Sequence, residues 1–236
     1  MTMAIQTTAM TTPFFEQISR HIERTIGPAP RVFHEIVSAH AHIDLHIVPA
    51  QPHVAPSKDR PLGGDYVTIV TSGMSWRPMN LPPNARQNGV SQYAELMLAL
   101  PKSWPGFRTD GTFDQQIMKD DAKWWPIRWL KQMARIPHQY DTFYSHGVTV
   151  PNGEPARPFA KGSKLCCWMV FHPMLCPDAH RLHISNDVHI DFFALFALTE
   201  REMQLKLNKG LSALTRAMAE GEVYTELLDP GRRGAV

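Results

Sequence analysis

The sequence predicts an α/β protein of the α+β type, a single domain in which a mainly antiparallel, mixed sheet is packed by an N-terminal helix, a tryptophan-rich middle helix and a long C-terminal helix. Three observations carry this expectation. Short apolar runs of strand period recur along the chain, punctuated by 20 prolines and 14 glycines. Stretches of helical period stand at its start, middle and end. Most connections between the strand-like runs are too short for a crossover helix, which favours antiparallel pairing with the helices on one face. The 236 residues suffice for one core.

In chain order, Thr12 followed by Pro13 reads as a helix start, because threonine caps free amides and proline at the first helical position forfeits no hydrogen bond. Phe14, Ile18, Ile22 and Ile26 then recur every fourth residue before Gly27 and Pro28 end the helix. The period changes to two in VFHEIV and HAHIDLHIV, which predicts consecutive strands or one bent strand, and a proline-rich loop over 49–64 leads to the strand DYVTIVTS. YAELMLALP is a further strand. Trp124, Trp125, Trp129 and Met133 lie at helical spacing, predicting a helix over 126–136 that begins near Pro126 and stops before Pro137, its tryptophans in the core. GVTVP, KLCCWMVFH and DVHIDFFALFAL are strands, the last apolar on both sides and therefore central. Thr199 and Glu202 form a capping box that opens a long helix with the stripe Met203, Leu207, Leu211, Leu214 and Met218, weakest at Gly210. The first 11 residues are expected to be flexible and residues 221–236 to form a partly mobile tail.

Composition excludes several classes. The 24 basic and 22 acidic side chains nearly cancel and are scattered, which argues against a nucleic-acid partner. The N-terminus has no secretory pattern and no window approaches a membrane span, so no membrane partner and cytoplasmic residence are expected. Cys166, Cys167 and Cys176 form no CxxC pair and read as reduced, buried thiols, where burial disfavours a nucleophilic thiolate. Ser72-Gly73-Met74-Ser75-Trp76 is followed by Arg77, so there is no GxSxG elbow, and Gly63-Gly64 lacks the phosphate-loop lysine.

The stretch HAHIDLHI carries the most chemistry. On a strand, His40, His42, Asp44 and His46 share one face while Ala41, Ile43, Leu45 and Ile47 face the core. Same-face neighbours stand roughly 6.6 Å apart, so two of them can pinch one zinc ion but four cannot. A metal site on this face would need a third ligand such as Glu95, His189 or Asp191, the last two belonging to an echo, His189-Ile190-Asp191, of His42-Ile43-Asp44. The commoner reading is a solvated or partner-facing strand with no cofactor, whose histidines change charge at about pH 6 to 7.

In order and spacing, VFHEIVSAHAHIDLHIV, TIVTSGMSWRPM, YAELMLALPKSWP, WWPIRWLKQMARIP and ALTEREMQLKLNKGLSAL resemble the suppressor of fused domain family, and its bacterial branch rather than the animal signalling protein. The resemblance assigns 12–220 to that domain and implies an α/β sandwich-like fold without known catalytic residues. In animals the family holds a transcription factor through protein contacts; in bacteria related domains occur in polymorphic toxin systems, where they are thought to be immunity proteins. The family-like positions are His34, Glu35, His42, Asp44, Thr71, Gly73, Met74, Ser75, Glu95, Leu100, Pro101, Trp125, Pro126, Glu202 and Met203, whereas His40 and His46 look like additions. Of these, His34, Glu35, His42, Asp44, Thr71, Gly73, Met74, Ser75 and Glu95 are expected to form a polar network that fixes strand pairing or lines a binding groove. The implied function is a non-catalytic protein-binding module whose partner is another protein, such as a toxin encoded nearby; the alternative is a metal-dependent hydrolase using His40, His42, Asp44 and His46.

Overall fold

A computed structural model describes residues 13–35, 41–57, 62–223 and 226–236. The first helix, α1 (Phe15–Thr25), buries Ile18 and Ile22, while Thr12, its expected cap, lies outside the described residues. Strands β1 (Arg31–Phe33) and β2 (Asp44–Val48) pair antiparallel. β3 (Tyr66–Ser72) joins β2, a short helix α2 (Pro83–Gln87) follows, and β4 (Tyr93–Pro101) joins β3. After helix α3 (Asp121–Gln139) come β5 (Thr149–Pro151), β6 (Leu165–Phe171), β7 (Arg181–His183) and β8 (His189–Thr199). Helices α4 (Glu200–Lys209) and α5 (Leu211–Glu220) close the domain.

These strands form one eight-stranded sheet in the order β1-β2-β3-β4-β8-β6-β5, with β7 beside β8. Pairing is antiparallel except between β4 and β8, which run parallel. β8 is central, as its apolar flanks predict. Its parallel contact with β4 is possible because the chain from 102 to 188 is long enough to cross over.

Helices cover both faces of the sheet, not one. On one side Ile127, Leu130 and Met133 of α3 pack on Ile43, Leu45, Leu96 and Leu98. On the other, α1 packs on Val70 and Met97, and Met203, Leu214 and Met218 pack on Met169 and Phe196. Connection length restricts strand direction but says nothing about which side a helix takes, so the one-face expectation had no basis in packing.

α3 exceeds its predicted bounds at both ends. The Asp120 carboxylate caps it by accepting from the Ala122 amide. At the other end the helix continues through Pro137, whose missing N–H leaves the Met133 carbonyl without its helical partner. The buried Tyr144 hydroxyl donates to that carbonyl at 2.9 Å instead. The predicted long C-terminal helix is two helices, because Gly210 adopts φ 85°. Leu207, expected in the stripe, is 58% exposed. Residues 226–236 make definite contacts where a partly mobile tail is predicted: Leu228 donates to the Ala99 carbonyl, and Arg232 and Ala235 both bind Glu202.

Candidate functional site

The expected polar network separates into two adjoining clusters. The first surrounds Glu95, a wholly buried carboxylate in β4. It accepts from the Thr71 hydroxyl at 2.6 Å, the Ser75 hydroxyl at 2.6 Å, and the amides of Gly73 at 2.9 Å, Ser75 at 3.0 Å and Met74 at 3.4 Å. Burial pushes this carboxyl above its ordinary range, against the opposing pull of the Ser75, Thr71 and Gly73 donors. One acidic side chain thus holds the whole turn that follows β3. Gly73 makes the turn possible: its φ is 128°, and a Cβ there would lie 2.0 Å from the His42 carbonyl oxygen. Gly73→Ala is expected to cost roughly 2–3 kcal/mol, measurable as a lowered urea midpoint with an unchanged denaturant slope.

The second cluster surrounds Glu35. Its carboxylate accepts from the Ile43 amide at 3.1 Å, from Lys131 at 2.9 Å and from Arg135. Burial alone would raise the Glu35 carboxyl, but the two cations and the amide outweigh it and the net shift is downward. The Asp44 carboxylate accepts from the Glu35 amide at 2.9 Å and pairs with His34 Nδ1 at 2.9 Å, while His42 Nδ1 lies 3.2 Å from the Glu35 carbonyl. These bonds tie the chain around β1 and β2 to α3. Lys131 and Arg135 were missed by sequence reasoning, although their spacing of four places both on one helix face.

On the strand face expected to be solvated or partner-facing, His42 and Asp44 are half-buried while His46 is covered. His46 is 1% exposed; its ring lies 5.3 Å from Phe15 of α1 and its Nε2 is 3.0 Å from the Ser72 hydroxyl. Burial lowers its pKa to about 4, well below the expected window near neutrality. Alternation showed that this face was polar but not that α1 would cover it. His40 lies outside the described residues. Of the suggested third ligands, Glu95 is committed to its donors and Asp191 to a bidentate pair with Arg181 at 2.6 and 2.9 Å. Among the described residues, no three histidine, cysteine, aspartate or glutamate side chains are placed to hold a metal ion. Cys166 and Cys167 are buried, and burial raises both thiols, Cys167 to about 12.

The Glu95 turn presents an exposed corner. Met74, Ser75 and Trp76 form a short 3₁₀ turn whose first two residues are buried, leaving Trp76 39% exposed. His138, near the end of α3, meets the Met74 carbonyl through Nε2 at 2.6 Å, which assigns the proton to Nε2. Its Nδ1 is then free to accept from Arg77 Nε at 3.3 Å, while another Arg77 nitrogen donates to the His138 carbonyl at 3.0 Å. Burial, with Arg77 beside it, lowers the His138 pKa and favours this neutral tautomer. The Arg77 guanidinium lies 4.9 Å from the Trp76 ring centroid. Tyr140, 73% exposed, follows α3 directly, and a groove of about 370 Å³ runs between Arg77, Asn80, His138 and Asp141. Sequence reasoning placed Thr71, Gly73, Met74, Ser75 and Glu95 together but overlooked Trp76, Arg77, His138 and Tyr140.

An eight-stranded, largely antiparallel sheet covered by helices on both faces, with a turn anchored on a buried glutamate, defines the class of fold. The sequence model of the suppressor of fused protein family matches residues 40–233, so the chain belongs to the suppressor of fused family. No curated protein matches it by sequence. Among solved structures it is similar to a suppressor of fused homologue from Neisseria gonorrhoeae, with 16% identity, a TM-score of 0.58 and coverage of 94% of this chain and 96% of that one. It is also similar to a chain of the Sufu–Fu complex, with 13% identity, a TM-score of 0.59 and coverage of 95% and 93%. Suppressor of Fused from Drosophila aligns over 82% of this chain and 42% of its own length, at 14% identity and a TM-score of 0.48.

Proposed function

We propose that this protein is a non-catalytic protein-binding module that docks its partner on the Trp76–Arg77–Tyr140 corner. One observation carries the reading: a wholly buried carboxylate with five donors is spent on holding a turn whose product is an exposed tryptophan stacked with arginine. Tryptophan, tyrosine and arginine are the residue types that dominate binding energy at protein interfaces. A rigid turn also spares a partner the cost of ordering them. The Thr71 and Ser75 hydroxyls that meet the Glu95 carboxylate are wholly buried with it, out of a substrate's reach, and the suppressor of fused structure solved with Fu supports a family role in holding other proteins. The narrower proposal is an immunity protein that masks a toxin encoded beside it, acting without cofactor.

Titration calorimetry with the product of the adjacent gene tests both levels. Micromolar or tighter binding is expected, and the double substitution Trp76→Ala with Tyr140→Ala should weaken it by about 30-fold or more. Undiminished binding by that variant would refute the corner as the docking site. Failure of the neighbouring product to bind would refute the immunity proposal.

A further inference from the structure

A second group of histidines, distant in sequence from HAHIDLHI, is brought together at the loop between β6 and β7. His172 Nδ1 and His180 Nδ1 stand 3.0 Å apart, so a hydrogen bond between two ring nitrogens closes the loop at its base. The His146 ring stacks on His172 with centroids 4.1 Å apart, and Phe193 of β8 lies near both members of the pair. Within the loop, the short 3₁₀ turn Pro177–Ala179 reaches α1, where His21 Nε2 lies 3.0 Å from the Ala179 carbonyl. Glu226 accepts from the Met174 and Leu175 amides. Among the described residues the other charged or titratable neighbours include Arg181 and Asp191, paired with each other, His183 and His189 beyond them, Asp178 in the turn, and Tyr66, whose hydroxyl donates to the Leu175 carbonyl beside Cys176.

We propose that the His172–His180 bond is a proton-operated clasp that holds the loop closed when the rings are neutral and releases it on acidification. An N–H···N bond needs one donor and one acceptor. The donor ring carries its proton on Nδ1 and can take another on Nε2 without breaking the bond. The acceptor ring has only Nδ1 left to protonate, and once the donor ring is itself charged through Nε2, doing so sets two N–H groups and two positive charges against each other 3.0 Å apart. The loop must then open.

Burial, with each other's charge and that of His146, lowers the His172 pKa to about 4, and burial lowers His180 as well. A histidine whose folded pKa lies below the unfolded value of 6.5 contributes fully above that value, and the contribution fades as pH falls toward 4. Glu226 acts in the opposite sense: burial raises it from 4.5 to about 7, so its hold on the loop weakens as pH rises through that window. The two clamps partly mask one another in the wild type, and the test must separate them.

Hydrogen exchange of residues 174–183, normalised to the amides of β4 and corrected for intrinsic rates, makes the separation. In Glu226→Gln, the opening equilibrium is expected to rise by about tenfold or more between roughly pH 7 and 5. In the double variant His172→Asn and His180→Asn, where each amide replaces a ring nitrogen without titrating near neutrality, the rise should shrink to what His21 on the Ala179 carbonyl contributes, set against the opposite slope of Glu226. A Glu226→Gln protein with no acid-induced opening would overturn the proposal, as would a double-asparagine variant with the wild-type slope. If either variant fails to fold, nitrogen chemical shifts of the wild-type histidines decide. One shared Nδ1 proton and a ring that resists protonation well below pH 6.5 are expected, and two independent titrations near 6.5 would refute the clasp.

Discussion

Glu95→Ala is expected to destabilise the protein by roughly 4–5 kcal/mol, the largest loss anticipated for a single substitution. The alanine leaves the Thr71 and Ser75 hydroxyls and the Gly73 and Ser75 amides without their acceptor in a buried site. Each orphaned buried donor costs about 1–3 kcal/mol, less than additively since the turn can relax. Glu95→Gln should recover part of the loss, because its amide oxygen can still accept from Gly73 and Ser75 while its NH2 group faces the Thr71 hydroxyl. Burial holds the Glu95 pKa above the unfolded value of 4.5, so its contribution is greatest in acid and declines as pH rises. The loss on substitution should therefore be larger at acid than at alkaline pH. Equilibrium urea unfolding at the two extremes measures this, and a loss under about 1 kcal/mol would show that the turn does not depend on its carboxylate. Partner binding should fall with it, since Trp76 is carried on the same turn.

Arg232→Met should cost roughly 3–5 kcal/mol, the size seen when one member of a buried ion pair is removed. Glu202 is wholly buried and binds the Arg232 guanidinium through both oxygens, at 2.7 and 2.6 Å. Its remaining donors are the amides of Thr199 at 2.7 Å and Ala235 at 2.8 Å. Burial alone would raise this carboxyl, but the guanidinium and the amides outweigh it and the net pKa is lowered. Its stabilisation is present above the unfolded value of 4.5 and is lost as pH falls through the folded value. Without Arg232, burial dominates and the sign reverses, so the gap between wild type and variant should widen as pH rises from about 4 to 7. Thermal unfolding across that range checks the trend. Adding Glu202→Met to the variant should restore much of the loss, because two apolar side chains leave no buried charge unpaired.

Glu202 also shows how far the sequence could be read. Its bond to the Thr199 amide and that of the Thr199 hydroxyl to the Glu202 amide form the predicted capping box, a local signal four residues long. Its stronger partner, Arg232, lies 30 residues on, in a segment whose sequence suggested only a tail. The Glu95 cluster divides in the same way. Family-like positions named Thr71, Gly73, Met74, Ser75 and Glu95, but only the pairing of β3 with β4 shows that all five donors meet one carboxylate. Trp76 and Arg77 stood within a quoted motif, yet their role depends on His138, more than 60 positions away.

HAHIDLHI marks the limit most clearly. Alternation established that His42, Asp44 and His46 share a face and that Ile43, Leu45 and Ile47 share the other. It could not establish what would cover the polar face, and α1 buries His46 while Asp44 remains at the edge with His34. What the sequence alone determined about this protein are the features set by neighbours in the chain: strand and helix periods, the capping box, the stop of the first helix at Gly27 and the family. Tertiary structure decided which side each helix covers, which distant charges pair and where histidines meet. Periodicity orders side chains within an element, while the contacts between elements are chosen by packing over the whole sheet.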